Sequence, residues 1–409
     1  MGASATGQTW REIIASAVDL RHDLHRRPEL TWAEHGTAAH VRDRLTDLGI
    51  AWRTCADTGT VAHLATGAPG RHLALRGDMD AMPVVEESGA EWSSQVEGVM
   101  HACGHDGHTA TLLATAAWLA AHEDRLPGPV TLLFQPAEEG GHGARAMIEG
   151  GALRGDAPGP GRPVEVVFGW HNWPAVGEGR FACPDGPVMS ANGTFEVRVE
   201  GVGGHASQPE ETRDPVLAVA AITVALQQVV ARRLAPHTAA VVAVTWIDAP
   251  SNVMVTPASA RLGGSIRVPD TGLRDEVFSM ITEVAEATAA AHGVRAHTTT
   301  TTRYGATVNH AGPAAELREA LLAADPDLSP EPLLPMPVLA SEDFSYYLDE
   351  VPGAFALVGA AGQHSCHSPH YDFDDDLIAP VVRAYARLAG APTPSAEQTA
   401  APERAPATS

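Results

Sequence analysis

Short apolar runs alternate with helix-patterned stretches through the first 170 residues, and this alternation limits the folds open to the chain more than any other feature. HLALRG (72–77), VTLLF (130–134) and VEVVFGW (164–170) read as strands, while residues 10–27, 33–48, 108–122 and 142–153 read as helices. Pro28 stops the first helix and Gly49 the second. Such alternation builds α/β layers around a mostly parallel central sheet, because a parallel neighbour needs a crossover long enough to hold a helix. The pattern changes near residue 190. TFEVRVEG (194–201) alternates apolar and polar residues with period two, the mark of a strand wet on one face. A helix from Asp214, the strands 239–247 and 259–268, a helix over 273–291 and a strand over 294–303 complete a compact α+β unit. The threonine run in VRAHTTTTTR reads as strand rather than linker through its β-branching. Helical residues 313–324, the strand AFALVG (354–359) and helical residues 377–389 return to the α/β pattern. The expected organisation is a larger α/β domain in two pieces, 1–189 and 304–390, split by an inserted domain over 190–303. Residues 391–409, rich in Ala, Pro and polar residues, are expected to be a disordered tail.

Acidic residues outnumber basic ones 50 to 27, a formal charge of −23, so nucleic-acid backbones and anionic membranes are not expected partners. All 27 basic residues are arginine. With no lysine there is no Schiff-base lysine and no Gly-Lys phosphate loop. The four cysteines, Cys55, Cys103, Cys183 and Cys366, are too scattered for a disulfide framework. The N-terminal MGASATGQTW lacks the layout of a signal peptide, and no apolar run is long enough to span a bilayer. A cytoplasmic protein is the expectation.

HACGHDGH (101–108) crowds three histidines, a cysteine and an aspartate into a glycine-flanked loop at the start of a helix. Cys103 and His105 are of the donor types that hold zinc-like ions, although a histidine-rich loop is also an ordinary surface feature. Glu138 and Glu139 follow the strand 130–134. Adjacent carboxylates point in different directions, so one can hold a metal while the other moves protons, or both can simply start a helix favourably. His171 stands just past another strand, and Asp78 and Asp80 end a third. Open α/β sheets bind ligands beyond the carboxyl ends of their strands, where all four pieces sit. HSCHSPHYDFDDD (364–376) adds His364, His367 and His370 after the last strand.

RHDLHRRPEL, ALRGDMDAMP, HACGHDGHTA, FQPAEEGGHGARAMIEGGAL, GWHNWP, GVGGHASQP, NVMVTPASARLGGSIR, SEDFSYY and HSPHYDF occur in this order. Together they resemble the metal-dependent aminoacylases and carboxypeptidases related to carboxypeptidase G, over about residues 10–390. The likeness is strongest to the branch of hippurate hydrolases and auxin–amino-acid-conjugate hydrolases. It implies a zinc-peptidase-like α/β catalytic domain with an inserted dimerisation, or lid, domain. It also implies a centre of two divalent ions, zinc foremost, with manganese, cobalt or nickel as alternatives. Cys103, His105, Glu139, His171 and His367 match its ligands, Cys103 in the bridging position. The His-Ser-Pro match selects His367 over His364 and His370. Glu138 matches the general base, and Asp78 and Asp80 match carboxylates that orient imidazole ligands. In the inserted domain, His205 matches a residue that reaches the partner subunit's site and polarises the scissile carbonyl. Asn252 and Arg267 match contacts to the substrate's α-carboxylate, a task suited to arginine's planar fork.

The activity implied is metal-dependent hydrolysis of the amide bond of N-acyl amino acids, such as N-acetyl or N-benzoyl compounds, by a homodimer. Two rivals stand beside it: a dipeptidase or carboxypeptidase with the same machinery, and a non-catalytic metal-binding dimer. A serine hydrolase is disfavoured because no nucleophile-elbow Gly-x-Ser-x-Gly occurs.

Overall fold

The computed structural model describes residues 7–362 and 364–394, which form two compact units. The first holds the described residues up to Gly186, Asn309–Leu334 and those from Tyr346 on. Its eight-stranded sheet begins with β1 (Ala51–Thr54), β2 (Thr60–Leu64), β3 (Leu73–Asp78), β4 (Val130–Gln135), β5 (Val166–Asn172) and β6 (Arg180–Ala182). With the later strands Gly353–Val358 and Ser329–Pro330, the spatial order is β1-β2-β4-β3-β5, then 353–358, β6 and 329–330. The centre, β4-β3-β5 and 353–358, is parallel, whereas β1 and β2 add an antiparallel edge and β6 runs against 353–358. All four central strands are buried at every position, which is why they read as unbroken apolar runs. β1 and β2, only 4 and 5 residues long, escaped the sequence reading.

Helices α1 (Trp10–Arg26), α2 (His35–Asp47) and α3 (His105–Ala120) precede β4. Thr9 and Glu12 close a capping box at the start of α1. α3 is the central helix of this unit, buried at every residue from His105 to Leu119. It lies so close to β3 that a Cβ at Gly77 would stand 2.9 Å from the His108 carbonyl oxygen. α3 begins at His105, three residues earlier than expected, and β5 extends through Asn172, so His171 is in the strand rather than past it.

The second unit, Pro187–Val308 with Pro335–Ser345, is built on a four-stranded antiparallel sheet. Its order is Val241–Asp248, Ser259–Val268, Ala191–Glu200, Arg295–Thr302. Phe195, Val197, Leu262 and Ile266 on the sheet form one core with Ile222 of helix Pro215–Ala225 and Val277 and Ile281 of helix Thr271–Ala291. The threonine run is an edge strand in register with Gly193–Val197. Pro335–Ser345, which the sequence reading left with the last α/β piece, joins this unit: Ser190 N–H donates to the carbonyls of Val338 (3.1 Å) and Ala340 (2.8 Å).

Of the tail expected to be disordered, Ala391–Pro394 are described. Ala391 is buried in the core, and Trp118 Nε1 donates to the Pro392 carbonyl at 2.9 Å. The rest of that tail lies outside the described residues. Among the described residues no helix is long and apolar enough to cross a membrane.

Candidate metal centre

The first unit gathers its donors at the carboxyl edge of β3, β4 and β5. Asp78 ends β3, and Asp80 follows two residues on. Cys103 and His105 flank Gly104, which caps α3 in the left-handed region at φ 89°. A Cβ there would stand 2.4 Å from Asn172 Oδ1 and 2.7 Å from Tyr371 Oη, so the turn needs glycine. His105 is thus the first helical residue rather than part of a loop. Glu138 and Glu139 lie in a turn after β4, following Pro136 and Ala137.

Two donor trios share one thiol. Cys103, His105 and His171 bring their donor atoms within 4.8 Å of one another, and so do Cys103, Glu139 and His367. Cys103 Sγ is 3.3 Å from His171 Nε2, and His367 Nε2 is 3.4 Å from Glu139 Oε1. The His367 N–H donates to the Ala102 carbonyl at 2.7 Å, tying the late loop to the segment that carries Cys103. All three late histidines are exposed; what sets His367 apart is its place in the donor trio, whereas His370 turns to Glu87, its Nδ1 2.8 Å from that residue's carbonyl oxygen.

The two imidazoles of the first trio are fixed from behind. His105 Nδ1 lies 3.3 Å from Asp80 Oδ1, and His171 Nδ1 lies 2.6 Å from the Asn172 carbonyl oxygen. A carbonyl or carboxylate oxygen calls for a proton on Nδ1, so that the neutral ring would offer its Nε2 lone pair to a cation. His105 Nε2 and Glu139 Oε1 are buried and make no hydrogen bond, an expensive arrangement for polar atoms unless a cation completes it. Thiol, imidazoles and carboxylate are a donor set for zinc-like ions, and the residues fit two divalent cations.

Electrostatics agree. Burial opposes charge on His105, but Asp78, Asp80 and Glu139 around it raise its pKa to about 10. Burial, with His108 and His105 nearby, holds the His171 pKa well below its ordinary value. The hydrogen-bonded Cys366 thiol, burial and the two glutamates push the Cys103 thiol well up. The shifts of His105 and Cys103 mark a surplus of negative donors, whereas burial keeps His171 neutral and able to donate a lone pair. A bound cation reverses the cost of the thiolate.

Asp78 and Asp80 divide their work. Asp80 takes Thr31 Oγ at 2.8 Å and the backbone N–H groups of Glu138 (3.0 Å) and Glu139 (2.9 Å), besides facing His105. Asp78 lies between Arg76 and His108 Nδ1 (2.6 Å), while its distance to His105 Nε2 is 3.6 Å. His108 Nε2 meets Asn172 Oδ1 at 2.7 Å, and the Asn172 amide meets Tyr371 Oη. Sequence reading passed over His108, Asn172, Tyr371 and Thr31. Only His108 carried a signal, one helical turn beyond His105.

In the second unit His205 and Asn252 come together and Arg267 lies elsewhere. Gly204–His205 pairs with Val255–Thr256, just after the turn in which Asn252 Oδ1 accepts from Met254 N–H at 2.9 Å. Both residues are exposed. The Ser207 N–H donates to His205 Nδ1 at 3.2 Å, placing the neutral ring's proton on Nε2. Arg267, on strand Ser259–Val268, donates to Ser341 Oγ at 2.8 Å; burial and neighbouring Arg303 lower its pKa.

Known proteins are similar to this chain in sequence and in fold. The chain is 36% identical over 367 residues to the N-acetyl-L-cysteine deacetylase of Bacillus subtilis, covering 88% of this chain and 84% of that protein. It is 36% identical over 379 residues to IAA-amino acid hydrolase ILR1-like 2 of Arabidopsis thaliana, covering 90% and 83%. Among solved structures, the Bacillus subtilis YXEP protein, described as a dinuclear metal-binding peptidase, superposes with a TM-score of 0.79 at 29% identity, covering 93% of this chain and 98% of that one. The sequence signature of Peptidase family M20/M25/M40 matches residues 74–391, a span that includes both donor trios. With the fold, the donors and the relatives in agreement, the chain belongs to Peptidase family M20/M25/M40 and is a metal-dependent hydrolase.

Proposed function

We propose that the chain hydrolyses the amide bond of N-acylated amino acids at a two-ion centre held by Cys103, His105, Glu139, His171 and His367. The observation that carries this reading is the sharing of Cys103 by both donor trios, beside a buried carboxylate, Glu138, that neither of the two uses. A thiolate ligand favours zinc, and the carboxylate and imidazoles also suit manganese, cobalt or nickel. Bound divalent ions supply Lewis acidity, bringing the pKa of water toward neutrality and polarising a carbonyl.

Glu138 takes the proton of the attacking water and returns it to the leaving amine. Its backbone N–H, held by Asp80, fixes where the carboxylate starts. His205 of the partner subunit donates from Nε2 to the developing oxyanion, in the tautomer that Ser207 enforces. Arg267 and Asn252, which lie apart within one chain, bind the α-carboxylate of the substrate from different subunits, Asn252 arriving with the partner's His205. A half-buried guanidinium suits that task. The working molecule is then a homodimer paired through the second unit. Relatives named for deacetylating N-acetyl-L-cysteine and for hydrolysing IAA–amino acid compounds support the substrate class.

The test is turnover of zinc- or manganese-loaded protein on N-acetyl, N-benzoyl and longer N-acyl amino acids beside dipeptides. Higher kcat/KM on the N-acyl amino acids is expected. Preference for dipeptides would make the chain a peptidase with the same centre, and no turnover of either class would overturn the reading.

A further inference from the structure

The turn that carries Glu138 and Glu139 departs from ordinary backbone. Ala137 (φ 55°) and His142 (φ 59°) are non-glycine residues in the left-handed region, and Gly140 (φ 87°) lies between them. Such a run persists only where its surroundings over-determine it. The constraint comes from Thr31–Glu34, just beyond the RHDLHRRPEL stretch, more than a hundred residues earlier in the chain.

Glu34 stands at the N-cap of α2 but makes no side-chain capping bond there. It is fully buried, and its carboxylate accepts three donors. Oε1 takes the N–H of Ala137 (2.9 Å) and of Trp32 (3.0 Å), and Oε2 takes Thr58 Oγ (2.7 Å). Thr31 Oγ donates to Asp80 Oδ2 at 2.8 Å, with the Glu139 carbonyl oxygen 3.4 Å away. Trp32, itself at φ 64°, donates from Nε1 to the Gly141 carbonyl at 3.2 Å. Ala137 and Gly141 are therefore held directly by this short segment, and Glu139 is held through Asp80, whose Oδ2 accepts from both Thr31 Oγ and the Glu139 N–H.

A buried carboxylate that belongs to neither donor trio is a costly way to hold a loop. Two backbone N–H groups and a hydroxyl justify it only if the loop's conformation matters. We propose that Glu34, with Thr31 as its second anchor, is a positioning residue that sets the strained turn so that Glu138 is delivered as proton carrier. This rests on the reading of Glu138 as the base.

The test compares Glu34→Gln, Glu34→Ala and Thr31→Val, each alone and in a Glu138→Gln background. Glutamine can keep its oxygen on the Ala137 and Trp32 N–H groups and donate its amide to Thr58, whose hydroxyl rotates to accept. Glu34→Gln should therefore keep kcat within about threefold of wild type, since the donors stay satisfied. Glu34→Ala should lower kcat by about 10- to 100-fold with KM little changed, as misplacement of a catalytic group does. In the Glu138→Gln background the same change should lower kcat less than twofold, because there is no proton carrier left to misplace. Zinc affinity by chelator competition reads how far the loosened turn also affects Glu139. A loss of kcat that is equal in both backgrounds, or a folded Glu34→Ala protein with wild-type kcat, overturns the proposal. If Glu34→Ala does not fold, Thr31→Val decides in the same cycle, with a loss of about tenfold expected only where Glu138 is present. Should Glu138→Gln alone leave turnover intact, it is the assignment of the base that fails.

Discussion

Glu138 and Glu139 share a peptide bond, the anchor Asp80 and closeness to His105, yet their surroundings differ. Glu138 is buried, whereas Glu139 reaches His367 and belongs with Cys103 to one donor trio. Exchanging each carboxylate for its amide separates proton transfer from metal binding at almost constant shape. Glu138→Gln should keep two ions per chain, measured by elemental analysis, and lose about 10²–10⁴-fold in kcat, the usual worth of a general acid–base. Glu139→Gln should lose metal first and activity in consequence. The reverse pattern would mean that the roles are exchanged. Cys103 sits in both trios, so Cys103→Ser should lose at least one ion per chain; unchanged metal content with full activity would exclude a bridging thiolate. Glu138, Glu139 and His171 stood out because they lie in or beside apolar strands, where an α/β sheet opens to ligands. Cys103 and His105 stood out because they crowd the start of an apolar helix, whereas the full ligand set came only from the resemblance of the motifs. Of these residues' supports, only Asp78 and Asp80 were named from the sequence. His108 meets Asp78 from 30 positions away and Glu34 meets Ala137 from 103, and hydrophobic periodicity says nothing about polar pairing over such separations.

α3 carries the centre, and two features of the helix make its placement testable. The first is its start. Gly104→Ala would force a Cβ onto Asn172 and Tyr371 at a positive φ, which should lower stability by about 1–3 kcal/mol, the range for overpacking, and weaken metal retention, since Cys103 and His105 flank the glycine. Calorimetry and elemental analysis would show a null effect if the turn can relax. The second is the buried ion network behind the helix. Asp106 faces His25 of α1 at 2.8 Å and Arg21 at 3.2 Å, and His25 also meets Glu86. Burial opposes a charge on His25, but Asp106 and Glu86 raise its pKa from 6.5 to about 9. Between those values the folded chain holds a proton that the unfolded chain has released, so this contribution is complete below pH 6.5 and is lost as pH rises through 9. His25→Asn should flatten the decline of the unfolding midpoint over that window, and an unchanged slope would show that His25 is not the group responsible. This network also explains why the helix start was misread. Asp106 and His108 are polar yet wholly buried, so the segment lacks the amphipathic stripe from which a helix is read. The period-two strands of the second unit and the continuous apolar strands of the first were legible because their burial is simple. β1 and β2 were not, being too short to show a period.

At the scale of the whole molecule the question is which chain supplies His205. It lies in the second unit, exposed, with Nε2 carrying its proton, while both donor trios belong to the first unit. If dimers pair through the second unit and each His205 serves the partner's centre, neither chain has a complete site alone. His205→Ala should then be nearly inactive yet fully metallated, because every proposed ligand is intact. Glu138→Gln carries the complementary defect: a sound His205 to lend and no proton carrier of its own. Subunit exchange between the two inactive proteins creates heterodimers in which one site has both defects and the other has none. With equal amounts and random pairing, half of the dimers are mixed and each has one working site of two, so about a quarter of wild-type turnover should return by counting closed twofold pairs. Native mass spectrometry reports the mixed dimers independently of activity. Mixed dimers without recovery would place the action of His205 within its own chain or outside catalysis. A chain that stays monomeric throughout while the wild type remains active would remove the need for a partner altogether.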